Sequence, residues 1–438
     1  MKRITNKKQL TIYGCAGLGV NMLNLVVGSY LCSALLVGGF EDHIESWTYL
    51  NKNLVVAAVW SVFVFLAKAL DGIIDLPLSS FADRLNTKFG RRKTAILMGY
   101  IPMIISYLLF LVPVTPEETI ANTIWFGVVL CIFYASYTLT MLTYYATFSE
   151  ICQSEQDTVY LSNIKSICDV VYFILGYALI PVFISMSINI RIVALIFLPL
   201  CLTMLIPFFL LKENDDEKSV RALTLKTALV TAFKNKPFIY WMFTSSITAI
   251  GLQLFLGGIN EVFSSTGLNM TVVMASSFVP VPFTIFLYNH IVNKKGLGFG
   301  YRYVLSLFSI GMIVMLICNL FGNQMSKGLL TAIAICGGVV VSFAIGTFFS
   351  VTYTVPTKLA QKELETTGKS VATMLFAVQG LFEGIAAGIA TGFILVSLKH
   401  NDCIFLLPII VVVCCMIALV MSFKFDKTIS LMGKDGEK

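Results

Sequence analysis

The sequence predicts an all-α membrane protein of twelve transmembrane helices in two six-helix halves. Three observations lead there: the composition, the spacing of the apolar runs, and the placement of the basic residues. Apolar residues are 57% of the 438 and charged residues 13%, against roughly 25% charged in a soluble domain. With a mean hydropathy of +0.84, water does not solvate such a chain as a globule. A hydrocarbon core takes about 20 apolar residues per helix. Windows of that size give runs at 12–38, 54–80, 94–113, 122–148, 161–186, 190–211, 237–263, 271–292, 302–322, 328–355, 370–398 and 402–424. These runs are continuous, without the alternation of a transmembrane barrel.

The basic residues orient the spans. With both termini inside, 25 of the 31 Lys and Arg fall in six cytoplasmic segments. Lys52, Arg191, Lys327 and Lys399 lie opposite, and Lys68 and Lys165 lie within spans. The positive-inside rule therefore places both termini in the cytoplasm and the chain in the cell membrane as a multi-pass protein. The net charge of +7 is a topology signal. Basic residues dispersed over six segments form no nucleic-acid-binding domain. MKRITNKKQL precedes a run long enough to span and stay, so no cleaved leader is expected. The eleven cysteines are scattered without a CxxC pair and read as small apolar filler. Three histidines without HExxH predict no metal site beyond a transported cation.

KENDDEKSVRALTLKTALVTAFKNK, residues 212–236, is the long polar stretch. It reads as a cytoplasmic linker between halves 1–211 and 237–438. The loop after span two is DRLNTKFGRR, and the loop after span eight is NKKGLGFGYR. A shift of 210 aligns Gly90-Arg91-Arg92 with Gly300-Tyr301-Arg302, the placement expected of parallel six-helix repeats. Asp83, Arg84, Arg91 and Arg92 then read as gating residues, whose carboxylate–guanidinium pairs break as the halves rock. Topology charges alone are the competing reading.

Span two leaves the membrane through FLAKALDGIIDLPLSSFADRLNTKFGRRK, residues 65–93. At about 100° per residue, Lys68, Asp71 and Asp75 fall within about 60° of one another. A charge at a helix centre costs roughly 2.5–3.5 kcal/mol, so these three must face a cavity or one another. One lysine does not neutralise two aspartates, and the remaining carboxylate invites a hard cation such as sodium, or a proton. A Lys–Asp bridge that glues helices is the alternative.

Four more helix faces carry polar groups. Span four places Tyr134, Thr138, Met141 and Tyr145 on one side, a face of rings and hydroxyls that suits a sugar, or an aromatic packing stripe. Span one repeats the spacing with Gly17, Asn21, Asn24 and Gly28. In span five, Lys165 and Asp169 stand one turn apart, where an internal salt bridge is the plain alternative to solute binding. In span eleven, Gln379 and Glu383 flank a ridge of Gly380, Gly384, Gly388 and Gly392 that admits a close neighbour. Glu261, near the outer end of span seven, reads as reaching the interface.

Span two and its loop resemble the glycoside–pentoside–hexuronide:cation symporter family (melibiose permease-like) of the major facilitator superfamily. The matching residues are Lys68, Asp71 and Asp75, then Asp83-Arg84 and Phe89-Gly90-Arg91-Arg92-Lys93. The resemblance implies the major facilitator fold and alternating-access import of a glycoside-like solute with Na+ or H+. No other cofactor is implied, and a monomer in the lipid bilayer is expected. It implies a cation site of Asp71, Asp75 and Thr138. Ile74 replaces the family's asparagine ligand, which keeps proton coupling beside sodium. Tyr145 stands where the family stacks a tryptophan on sugar, and Lys165 where it has a sugar-binding arginine. Asn21 and Met141 stand in place of its two sugar-holding carboxylates, so galactoside specificity does not carry over. Ala377 stands in place of its span-eleven lysine. Asn24, Gln379 and Glu383 complete the expected substrate set. A transporter of amphipathic or lipid-like solutes on the same fold and a non-transporting membrane sensor are the rival readings. No nucleophile–base set, metal ligands or phosphate loop suggests an enzyme.

Overall fold

The computed structural model describes the chain except residues 1–3, 5, 39, 41–43, 75–76, 79–84, 86, 88, 153–154, 212–232, 234, 265–267, 269, 368–371, 433 and 435–438. Asp75, Asp83 and Arg84 thus lie outside the described residues, as does most of the expected linker. Secondary structure among the described residues is entirely helical. Among the described residues, ten helices are long and apolar enough to cross a membrane. The helices Ala57–Ile73 and Arg91–Leu109 occupy the positions of predicted spans two and three. The first has 17 described residues, and the second opens with Arg91, Arg92 and Lys93. The chain is an all-α, multi-pass membrane protein.

Several spans are irregular for reasons visible in the residues. Span six runs Ile190–Phe197, then a 3-10 stretch Leu198–Leu205, then Ile206–Leu210, with Pro199 and Pro207 starting the second and third pieces. A proline has no amide hydrogen and crowds the carbonyl four residues back, so the ladder tightens or breaks there. Spans one, five and eleven each contain a π turn, at Val26–Leu31, Leu175–Leu179 and Ile389–Leu395. Span ten runs unbroken from Lys327 to Thr367 through Pro356, well past its apolar stretch.

The chain divides into two compact units, Met1–Val37 with His43–Ala222, and Gly38–Asp42 with Leu223–Lys438. Each unit repeats one packing pattern. The fourth helix lies against the third and second, and the first lies against the sixth and fifth; spans ten and seven do the same in their unit. In unit one the first and sixth spans touch backbone to backbone. A Cβ on Gly19 would lie 1.8 Å from the Leu200 carbonyl oxygen. Gly19 N–H donates to Thr203 Oγ1 at 3.2 Å, and that hydroxyl donates to Ala16 O at 2.9 Å. Small residues serve this way in membranes, where close packing rather than hydrophobic exclusion joins helices. Buried tyrosines tie spans three and six, with Tyr100 OH donating to Cys201 O (3.1 Å) and Tyr107 OH to Ala194 O (2.8 Å). Exposed apolar side chains form stripes such as Ile101, Ile105 and Leu108, a surface suited to lipid.

The repeat also corrects the sequence alignment of the two loops. Gly90 caps the third helix of unit one at φ 94°, ψ 156°, and Gly296 caps the third helix of unit two at φ 86°, ψ 161°. That region is open essentially to glycine alone. Gly90 therefore corresponds to Gly296, not Gly300. Gly300, Tyr301 and Arg302 lie inside the helix Leu297–Phe321, so the apparent match of Gly-Arg-Arg to Gly-Tyr-Arg was one turn out of register.

Candidate functional site

In unit one, Asp71 lies in the last turn of the described span-two helix. Thr138, buried on span four, donates its hydroxyl hydrogen to Asp71 Oδ1. Lys68 turns instead to the Tyr134 ring, 4.2 Å from its centroid. Span one makes room for this: a Cβ on Gly28 would stand 3.1 Å from Tyr134 OH and 3.8 Å from Lys68 Nζ. Among the described residues no direct ion pair joins Lys68 to Asp71. The stripe read from the sequence thus separates its charges, a cation on an aromatic face and a carboxylate on a hydroxyl. The hydroxyl has lone pairs left, so Asp71 and Thr138 together offer oxygen ligands to a small cation.

A second cluster joins spans one, four and five. Lys165 Nζ and Asp169 Oδ2 pair at 2.6 Å, with side chains 25% and 24% exposed. Asn21 donates through Nδ2 to Asp169 Oδ1 at 3.3 Å, and its Oδ1 accepts from Tyr137 OH at 3.0 Å. Lys165 Nζ also lies 5.2 Å from the Tyr145 ring centroid. Asn21, Tyr145 and Lys165 are therefore brought together, through two residues, Asp169 and Tyr137, that were not in the expected set. Tyr137 precedes Thr138 and was passed over because it lies off the Tyr134–Tyr145 stripe. The buried Oδ1 of Asn24 and the Tyr134 hydroxyl have no hydrogen-bond partner among the described residues. Buried polar atoms are normally satisfied, so both stand ready for a ligand hydroxyl or water.

The salt bridge and the binding role of Lys165 are separable. If Lys165 touches solute, Lys165→Ala weakens binding about tenfold, ~1.4 kcal/mol, and adding Asp169→Ala does not restore it. Solute binding to the purified single and double variants checks this; full recovery in the double variant would make Lys165 a partner of Asp169 alone.

Unit two has its own polar cluster. Gln379, buried on span eleven, accepts from Trp241 Nε1 at 3.0 Å and donates to Glu383 Oε1 and to Thr352 O, both at 2.9 Å. The indole N–H can only donate, which fixes the amide with its NH2 toward Glu383. Ser245 lies beside Glu383 in the wall of one cavity, and Thr248 bonds Tyr301 OH at 2.7 Å. Trp241, Ser245, Thr248, Tyr301, Thr352 and Glu383 are among the residues that line a cavity of about 180 Å³. The sequence reading found Gln379 and Glu383 and missed span seven. Its signal was present: Trp241, Ser245 and Thr248 recur at i, i+4 and i+7, the spacing recognised on span four.

A family model described as MFS/sugar transport protein matches residues 12–403. The chain belongs to that family. It is a secondary transporter of the major facilitator type, with a small molecule as solute. No curated protein sequence matches it closely enough to count as a relative. Among solved structures it is similar to the nucleoside transporter NupG, at 17% identity and a TM-score of 0.60 over 96% of this chain and 98% of that one. It is also similar to a D-xylose–proton symporter, at 17% and 0.63 over 97% and 99%. A POT family transporter in complex with 5-aminolevulinic acid gives 14% and 0.65 over 96% and 97%. At these identities the likeness is one of fold.

Of the transporter's expected gating residues, Arg91 and Arg92 open the span-three helix, and Arg92 is buried at 8% exposure. Asp83 and Arg84 lie outside the described residues. Glu261, expected at the interface, is instead fully buried: Lys399 Nζ meets its Oε1 at 2.8 Å, with side-chain exposures of 2% and 0%. Lys399 also lies 4.4 Å from the Phe40 ring centroid, within the same unit. A carboxylate and an ammonium this deep are held by each other, since neither reaches water.

Proposed function

We propose that this transporter imports a sugar or glycoside-like solute together with a monovalent cation, Na+ or H+, by alternating access. The observation that carries the coupling is the placement of Asp71 against the Thr138 hydroxyl while Lys68 sits on the Tyr134 ring. The built-in lysine does not claim the carboxylate directly, so a mobile cation can. On this reading Asp71 and Asp75 take the cation, and Thr138 turns a lone pair toward it. Asn21, Asn24, Tyr145 and Lys165 bind the solute in the first unit, and Gln379 and Glu383 in the second. Span two's likeness to the glycoside–pentoside–hexuronide:cation symporters and the family's sugar-transport description support the solute class.

Rocking of the units then exposes the sites to each side in turn, with Asp83, Arg84, Arg91 and Arg92 in the gating loops. Both termini lie in the cytoplasm, the protein works as a monomer in the cell membrane, and no cofactor beyond the coupling ion is needed. One charge moving down 100 mV contributes about 2.3 kcal/mol, which sustains roughly fiftyfold accumulation.

The test is uptake of labelled glycosides, pentosides and uronides by proteoliposomes, with and without a sodium gradient and a pH gradient. Uptake of at least one, driven by one of the two gradients, is expected. Flux no greater than in protein-free vesicles across the panel would overturn the reading, as would uptake confined to amphipathic solutes.

A further inference from the structure

We infer that the cavity of the second unit binds an amino group of the solute, with Glu383 as its counter-charge, so that the preferred solute is an amino sugar. The inference rests on the sugar-import reading and narrows its substrate class.

Three observations carry it. The first is the wiring of Glu383. Gln379 is fixed by Trp241 and can only donate to the carboxylate. These hydrogen bonds orient Glu383 without cancelling its charge. The second is the lack of a built-in cation. Within unit two, Lys399 is committed to Glu261 and Arg302 lies over the Phe423 ring at 4.8 Å. Among the described residues no Lys, Arg or His forms an ion pair with Glu383. A carboxylate within a span costs roughly 2.5–3.5 kcal/mol and favours a positive partner; with none among the described residues, a solute can supply it.

The third observation decides which partner. A proton needs no room, yet Glu383 faces a cavity of about 180 Å³. Trp241, Tyr301 and Phe348 contribute rings to its wall, and Ser245, Thr248 and Thr352 contribute hydroxyls. A carboxylate beside aromatic rings is the combination that recognises an ammonium group, through a charge-assisted hydrogen bond and cation–π attraction. These hydroxyls donate to backbone carbonyls, which leaves their lone pairs to accept from the hydroxyls that a sugar brings with its amine. Neutral sugars find the hydroxyls but leave the carboxylate unanswered.

The experiment measures binding and counterflow of D-glucosamine and D-galactosamine against D-glucose, D-galactose and N-acetyl-D-glucosamine, using the full-length transporter in proteoliposomes. The amines should bind about tenfold or more tightly than their neutral parents, the range of a charge-assisted bond. Glu383→Gln should bring the ratio of amine to neutral affinity down to about one, and Glu383→Asp should keep part of the preference. Gel filtration and thermal melting report whether each variant is folded. Three results overturn the inference: neutral sugars binding as tightly as the amines, an amine preference that survives Glu383→Gln, or a folded Glu383→Gln that loses all sugars equally. A variant that keeps the preference but loses its response to a pH gradient would make Glu383 a proton carrier instead. If none of the five sugars binds the parent protein, the inference falls, and the sugar-import reading falls with it only where the glycosides, pentosides and uronides also fail to enter.

Discussion

Asp71→Asn is expected to abolish uphill accumulation while leaving solute binding or counterflow in place. The side chain keeps its size and can still bond Thr138, so span two and span four stay packed. What disappears is the charge. In the parent protein Thr138 donates to Asp71 and Lys68 lies on Tyr134, so a cation that binds at Asp71 brings a charge the site lacks. Without it the membrane potential has nothing to pull, and the roughly fiftyfold accumulation available from 100 mV collapses toward equilibration. Asp75→Asn should lose accumulation too, and at least one of the pair should keep exchange, because the groups proposed to bind solute lie on spans one, four, five and eleven. Gradient-driven uptake and counterflow, measured on the same proteoliposomes, separate the two steps. Should both variants accumulate solute like the parent, the aspartates are structural, and coupling belongs at Asp169 or Glu383.

The largest stability effect is expected at the other charged pair. Lys399→Ala removes the cation that meets Glu261 in a buried site, and Glu261→Ala removes the carboxylate that meets Lys399 there. Removing one member of a buried pair costs about 3–5 kcal/mol, whereas replacing both by apolar residues of similar size is near neutral. Lys399→Met with Glu261→Leu should therefore melt close to the parent, while each single alanine variant melts far below it. Thermal unfolding of the three purified variants in one detergent decides the matter. Single variants as stable as the parent would mean that water reaches the pair.

These two sites mark where the sequence could be read and where it could not. Spans were legible because a membrane imposes length and apolarity on consecutive residues, whatever the tertiary fold. Asp71 and Thr138 were legible in part: the resemblance named both, and a charged stripe in an apolar run signals itself. The partner of Lys68 was not, since an ammonium can meet a carboxylate or an aromatic ring and only packing decides. Glu261 and Lys399 stand 138 positions apart, each at the end of an apolar run, and each alone looks like an interfacial charge. Only the packing of unit two puts them in contact. Span ten's extension to Thr367 was hidden for a different reason: beyond Pro356 its sequence turns polar, so it is helical without being a membrane signal. The loop repeat misled because glycines recur at Gly296, Gly298 and Gly300, and only the backbone angle singles out the first.

The π turn of span eleven has a mechanical meaning. Ile389–Leu395 lies between Glu383 on one side and Lys399 on the other. Such a turn holds one more residue than an α-helix of the same rise needs, and each residue advances the helix by about 100°. Deleting one residue from this segment would restore a regular helix with Glu383 and Lys399 near their present phase, whereas a deletion in a regular turn beside it would swing one against the other by about that angle. Gln379, itself fixed by Trp241 and Thr352 O, holds the first side chain, and Glu261 and Phe40 hold the second, so both sets of contacts close only at the present phase. The π turn is thus the place where this helix can lose one residue without parting either contact, while a deletion in the regular helix on either side of it breaks one end or the other.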